Sequence, residues 1–463
     1  MTARLLLCSW LCLALACSDG AESPDVVVVA GGGAAGASSG GIGGQASSGA
    51  GGAKAGGGQA GGGASAGGAS PSFTRYPYGP THAPLTSGVV AGLKARLATS
   101  TGRSDVFAKV GASNTVAQGF AHCFAGPDVK LASHAALAPT VDFFKKTLAD
   151  ATATSFDRVT LAATVGWGAK KTIEGQPSPI EAEVASIRPQ FAVVLLGTND
   201  TYDAGVAPFD DSMNTVIERL LSLGVVPIIT TIPPRRDTAA AEALVPEMNA
   251  ILRGVAEANQ VPFVDLFSVL DALPSGGVGA DGIHLPTYTS GGAHGCWLDD
   301  TALASGMNQR NLLTLEALDR MRRIVIGADP VDAVPPSLLG AGTFDDPIVV
   351  DALPFVHHAD TSAAPPSTAS HYACGSQDEG GPEIVYRLSL SSPQKLSIRV
   401  FDDASTDVDL HFLTSADAGA CVARDDRALV VDAPAGTSFL AVDTFVSGGK
   451  PAAGRYRLTI VPR

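Results

Sequence analysis

The chain has 463 residues, 45% hydrophobic and 16% charged, which is enough for two or three domain cores. A net charge of −14 and a pI near 5.0 exclude a protein that holds nucleic acid through a basic, counterion-releasing surface. The 53 glycines exceed what a globular fold uses, and they cluster near the start.

Arg4 precedes an apolar run from Leu5 to Ala16, too short to span a bilayer, which needs about 20 residues. It reads as the apolar region of a secretory signal spanning 1–16. Ala14-Leu15-Ala16-Cys17 resembles the lipobox of bacterial lipoproteins, which implies a lipid anchor at Cys17 in the cell envelope. The same residues fit an A-x-A cleavage site, so simple secretion stays open. Cys8 and Cys12 leave with the signal. Cys123, Cys296, Cys374 and Cys421 remain, and an even remainder in an oxidising compartment predicts two disulfides.

Residues 17–72 are a Gly/Ala/Ser-rich tether with a random-coil reach of ~40 Å. They contain a G-x-G-x-x-G at Gly31, Gly33 and Gly36. A dinucleotide site needs a helix after the glycines and an acidic residue about 20 positions on. No helical pattern follows, and no Asp or Glu occurs between Asp25 and Asp105, so the match is compositional. No nucleotide cofactor is expected, nor any other.

A folded region is expected over 73–328. "SDVFAKVG" (104–111), "FAVVLLG" (191–197), "VVPIITTIP" (225–233) and "VPFVDLF" (261–267) are short apolar runs of the kind buried on both faces of a parallel sheet. "FDDSMNTVIERLLSLG" carries Phe209, Met213, Ile217, Leu220 and Leu221 at helical spacing and stops at Gly224. "AAAEALVPEMNAILRGVAEANQ", interrupted by Pro246, and "NLLTLEALDRMRRIVIG" are further helices. Alternating strands and helices predict an open α/β sheet. A Pro-rich linker covers 329–341. From 342 to 463, "EIVYRLSL", "QKLSIRVFD", "VDLHFLT", "TSFLAVDTFV" and "GRYRLTIV" alternate apolar and polar residues, as in an antiparallel β-sandwich. This division favours the pairs Cys123–Cys296 and Cys374–Cys421.

Loops at the carboxyl ends of parallel strands build the sites of open α/β folds. "KVGASNT" puts Ser113 just after a strand, "TVGWGAKK" brings Gly166 and Gly168, "LLGTND" brings Asn199, and "ADGIHL" sets Asp281 three residues before His284. Serine, imidazole and carboxylate are the parts of an activated hydroxyl nucleophile. The amides of Ser113 and a glycine, with the Asn199 side chain, suit an oxyanion. These four ordered blocks resemble the SGNH, or GDSL-type, hydrolase superfamily over roughly 104–327. The resemblance implies a flavodoxin-like three-layer α/β/α domain that hydrolyses acyl esters through an acyl-serine. By that resemblance Ser113 is nucleophile, His284 base and Asp281 its orienting partner. Ser113, Asn199 and either Gly166 or Gly168, with Gly166 preferred, form the oxyanion hole.

Substrates so implied are small-molecule, lipid or acylated-carbohydrate esters, including O-acetyl esters. One departure is Ala112, where the family carries the Asp that braces the serine loop; another brace, or loosened geometry, is expected. A catalytically inactive surface protein that binds glycan or lipid is the alternative. Trp167 fits core or pocket lining equally, and Arg235 and Arg236 read as solvated charges or ion pairs. No H-E-x-x-H or paired C-x-x-C supports a metal mechanism. In "FDDASTDVDLHF", Asp402, Asp403, Asp407 and Asp409 lack Ca²⁺-loop spacing and read as turn aspartates. The C-terminal strands resemble the prepeptidase C-terminal type of sandwich, which implies an accessory module.

Overall fold

The computed structural model describes residues 73–463 except 204, 366, 368, 403 and 404. The signal, Cys17, the tether with its glycine motif, and Asp403 therefore lie outside the described residues.

Strands β1 (Arg103–Gly111), β2 (Pro189–Leu195), β3 (Val226–Thr230) and β4 (Phe263–Val264) form a parallel sheet in the order β1-β2-β3-β4. On the free edge of β1, Ala163 makes one parallel bridge to Gly111. A flavodoxin-like sheet thus has its outermost strand reduced to a single bridge. Side chains hold that segment instead: Phe107 N–H donates to Ser155 Oγ, and Thr160 Oγ1 to the Lys109 carbonyl.

From Phe191 to Leu195 every residue of β2 is buried, which is why its sequence is an unbroken apolar run. Each such side chain contributes about 1.5–3 kcal/mol when removed from water. The run 261–267 is the exception. Only Phe263 and Val264 pair, because Asp265 turns the chain by accepting from Ser268 N–H at 3.1 Å, and a helix starts at Leu266.

The helices are α1 (Ser87–Thr99), α2 (Ser113–Val116), α3 (Ala138–Lys145), α4 (Pro179–Ile187), α5 (Asp200–Asp203), α6 (Val206–Ser222), α7 (Ala239–Asn259), α8 (Leu266–Asp271) and α9 (Gly306–Arg320), which runs on to Ile326. Ser178 and Glu181 cap α4 reciprocally, with Pro179 in the first turn. Gly224 ends α6, its N–H on the Leu221 carbonyl and the next amide on that of Leu220. Helix α7 runs straight through Pro246, so the expected interruption does not occur. Packing outweighs the one lost hydrogen bond, since most of its residues from Val245 to Glu257 are buried. α6 packs on α7, whereas α3 and the end of α1 meet α9 and its continuation, giving helical layers about the sheet.

The C-terminal part is a sandwich. One sheet has the order β10-β9-β12-β7-β5 and comprises Cys421–Asp425, Val408–Leu413, Gly436–Thr444, Ile384–Leu390 and Ile348–Val349. The other has the order β11-β8-β15-β6 and comprises Ala428–Ala433, Gln394–Asp402, Arg455–Pro462 and Phe355–Asp360. A small hairpin, β13 (Val446–Ser447) with β14 (Lys450–Pro451), stands beside them. Leu388, Ile398, Leu410, Phe412, Leu440 and Leu458 fill the space between the sheets.

The sandwich sits on α7 through β6 and β15. A buried Arg457–Asp210 ion pair, Arg399 on Glu247 at 2.9 Å and His358 Nε2–H on the Gly254 carbonyl at 2.9 Å tie the two parts. Disulfides join Cys123 to Cys296 and Cys374 to Cys421. The turn reading of Asp409 is corrected: it lies within β9, is 2% exposed, and pairs with Arg424 at 2.9 Å. Asp402 ends β8, where it accepts weakly from Val408 N–H at 3.4 Å.

Candidate active site

Ser113 and Asn199 follow the carboxyl ends of neighbouring strands. Gly111 pairs with Leu195 at the last rung of β1 and β2, which brings the two loops to one sheet edge. Ser113 starts α2, where the Ala112 carbonyl accepts from Thr115 N–H at 2.8 Å and Val116 N–H at 3.1 Å.

His284 comes to this edge from 171 residues away, and its Nε2 lies 2.9 Å from Ser113 Oγ. Its Nδ1–H donates to Asp281 Oδ2 at 2.6 Å. The other oxygen, Asp281 Oδ1, accepts from the N–H groups of Ile283 and His284, each at 3.0 Å. These backbone donors, His284's first, hold the Asp281 carboxyl down at about 2. The carboxylate is thus ionised and fixed, the imidazole keeps its proton on Nδ1, and Nε2 is left to accept from the serine. Both side chains are 49% exposed, so the site opens to solvent.

The brace that Ala112 cannot supply comes from two other residues. Asn114 Oδ1 accepts from Leu285 N–H at 3.0 Å, stitching the serine loop to the histidine loop. Arg310, fully buried in α9, donates to the Asn114 carbonyl at 2.6 Å and Thr115 Oγ1 at 3.0 Å. Its guanidinium lies 3.6 Å from the centre of the Phe120 ring, and burial pulls its pKa down to about 9. Neither residue stood out in the sequence. Arg310 carries no local signal, being 196 residues from the carbonyl it holds.

The G-T-N-D loop acts on the glycine segment. Asn199 Nδ2 donates to the Trp167 carbonyl at 2.8 Å, and Asp200 accepts from Ala169 N–H at 2.9 Å. Consecutive side chains therefore grip the peptides flanking Gly168. A Cβ at Gly168 would fall 2.8 Å from Asp200 Oδ1, so a larger residue there would push that carboxylate off the Ala169 amide. Gly166 is exposed, with φ +82°, and a Cβ there would meet nothing within 4 Å. Trp167 is half-buried.

Arg235 is no solvated charge. It is 1% exposed, pairs with Asp237 at 2.7 Å, donates to the Thr198 carbonyl and to Thr201 Oγ1, and lies against the Tyr202 ring. It is thus the underside support of the Asn199 loop, while Arg236 pairs with Glu242 and Asp271 at the surface. The Arg235 hydrogen bond keeps the Asp237 carboxyl at about 2.

Residues 91–287 match the family model of the GDSL-like lipase/acylhydrolase family. Similar solved structures include an acetylxylan esterase from Geobacillus stearothermophilus, at 13% identity and a TM-score of 0.32, covering 46% of this chain and 94% of that one. A GDSL-like lipase from Bacteroides thetaiotaomicron is similar at 15% identity and a TM-score of 0.29, covering 50% of this chain and 97% of that one. The pre-peptidase C-terminal domain of a Bacillus anthracis collagenase is similar at 14% identity and a TM-score of 0.16, covering 23% of this chain and 89% of that one. No curated protein matches the chain. The matched segment contains the motif order, the parallel sheet and the Ser-His-Asp geometry, so the similarity to GDSL-like lipases and acylhydrolases lies in the α/β part of the chain.

Proposed function

We propose that the chain is an exported serine esterase in which Ser113 attacks an acyl ester. The observation that carries this reading is the continuous relay from Ser113 Oγ through His284 to Asp281, at 2.9 and 2.6 Å. His284 takes the serine proton as Oγ adds to the carbonyl, then returns it to the departing alcohol. Water attacks the acyl-serine in the same way, and the acid leaves.

The negative oxygen of each tetrahedral intermediate is met by the Ser113 amide, the Asn199 side chain and a glycine amide. Asn199 Nδ2 has two protons, and the Trp167 carbonyl uses one, so the other is available to the oxyanion. We assign the glycine amide to Gly168 rather than Gly166, because Asn199 and Asp200 immobilise the peptides on either side of it.

The half-exposed His284 and Asp281 suit an ester carried on a bulky alcohol, such as an O-acetylated carbohydrate. The apolar run before Cys17 supports export with a lipid anchor there, and two disulfides fit an oxidising compartment. Hydrolysis of p-nitrophenyl acetate and of acetylated xylo-oligosaccharides by the purified chain tests the reading. Turnover that disappears in Ser113→Ala is expected, and equal rates in the two proteins would refute it.

A further inference from the structure

On the outer face of the sandwich, away from its apolar interior, the loop between Ser370 and Glu383 covers strands β9 and β12. Asp409 and Asp443 stand directly opposite each other across these strands, and His411 shares the face of Asp409. Glu379 comes from the loop. All four side chains are 3% exposed or less. Like charges opposed in a ladder repel, and a buried carboxylate needs donors or a cation.

The donors present do not suffice. Arg424 is the cation within reach, giving one bond to Asp409 at 2.9 Å and one to Glu379 Oε1 at 3.3 Å while also pairing with Asp426 at 3.0 Å. With both carboxyls ionised, Glu379 Oε2, both oxygens of Asp443, and His411 Nε2 are buried without hydrogen-bond partners. The imidazole is clamped from two other sides. Its ring stacks on Tyr372 at 3.9 Å, and Nδ1 faces the sulfurs of Cys374 and Cys421 at 3.7 and 3.9 Å. Its Nε2 lies 3.3 Å from Asp443 Oδ2 and 4.0 Å from Glu379 Oε1 without forming a hydrogen bond to either.

We propose that Glu379, His411 and Asp443 hold one divalent transition-metal ion of the Zn²⁺ class, which locks the 370–383 loop onto the sandwich. Their ligand atoms lie within 4.8 Å of one another; the His411–Asp443 pair, at 3.3 Å, already has the separation of two tetrahedral ligands with bonds of about 2.0–2.2 Å, and the Glu379 side chain must move inward to join them. One imidazole with two carboxylates is a zinc-type donor set, whereas Ca²⁺ takes six to eight oxygens. The ion would neutralise Asp443 and the Glu379 oxygen that Arg424 does not reach. Tyr372 and the disulfide would orient the imidazole, the role outer-shell groups play at metal sites.

The test uses the full chain, stripped with chelator and titrated calorimetrically with Zn²⁺. One site per chain is expected, with affinity reduced by more than about 100-fold in Asp443→Asn, since losing an outer-shell partner alone costs about 10–100-fold. Zn²⁺ should raise the melting temperature of the wild-type chain and not that of the variant. No binding, or equal binding by both proteins, overturns the proposal. X-ray absorption of the Co²⁺-loaded wild-type chain decides the matter even if the variant fails to fold. An oxygen/nitrogen shell with one imidazole is expected, and a shell without imidazole overturns it.

Discussion

Two buried charge centres in this molecule are unbalanced in opposite senses. Beneath the serine loop, Arg310 is a cation with no carboxylate bonded to it among the described residues, yet its terminal nitrogens are satisfied by a carbonyl, a hydroxyl and an aromatic face. On the sandwich, Glu379 and Asp409 share the Arg424 guanidinium with Asp426, Asp443 makes no bond to it, and acceptor atoms are left over. The difference lies in what a fold has to spare. Loops turn carbonyls inward that a donor-only arginine can use, whereas paired strands have already committed their N–H groups. A buried cation can therefore be absorbed by backbone, but a cluster of buried anions calls for a partner from outside the ladder.

The largest effect should come from asking whether the braced loop carries chemistry. Ser113→Ala should lower esterase kcat by about 10⁴-fold with the melting temperature unchanged, measured on p-nitrophenyl acetate. Asp281→Asn should cost roughly 10²–10⁴-fold, because an amide there no longer fixes Nδ1 as the protonated nitrogen. Arg310→Lys breaks the cation side of the comparison. A lysine cannot reproduce the forked donation to Asn114 and Thr115, so kcat should fall about tenfold with KM nearly constant, read from steady-state kinetics.

Gly254→Ala addresses the seam between the two regions. A Cβ there lies 2.3 Å from Arg457 Cδ, so docking should weaken by about 1–3 kcal/mol in thermal unfolding while kcat is unchanged. Glu257 is the intermediate case, a buried carboxyl given one backbone donor, Tyr76 N–H at 2.7 Å, with its other oxygen unpartnered. Burial raises it to about 7, above its unfolded value, so the folded state holds the proton more tightly. The stability it confers is full below about pH 4.5 and lost as pH rises through about 7. Glu257→Gln should therefore stabilise the chain at pH 8 by on the order of 2 kcal/mol, with little change at pH 4, in denaturant titrations.

The features legible in the sequence share a property: their signal is local. Continuous apolar runs marked β1, β2 and β3 because parallel strands bury both faces, and "GTND" and "DGIH" carry their spacing within four residues. The hidden features depend on contacts distant in sequence. Pro246 looked like a break because the packing that tolerates it lies on other elements. "VPFVDLF" read as one strand because the capping bond of Asp265 is a tertiary choice between two local structures. Arg235 read as a solvated charge or an ion pair; the pair with Asp237 is local, whereas its burial comes from Thr198 and Tyr202. The Glu379–His411–Asp443 cluster draws its members from a loop and two strands, so only the strand register brings them together. The Ala112 departure was visible, but its compensation through Asn114 and Arg310 was not.

The central claim, that Ser113 is an activated nucleophile, is tested most directly with a fluorophosphonate probe and mapping of the adduct by mass spectrometry. The account predicts a single adduct on Ser113, formed rapidly by the wild-type chain and suppressed in His284→Asn. A folded wild-type chain that stays unlabelled, or is labelled on another residue, would contradict it.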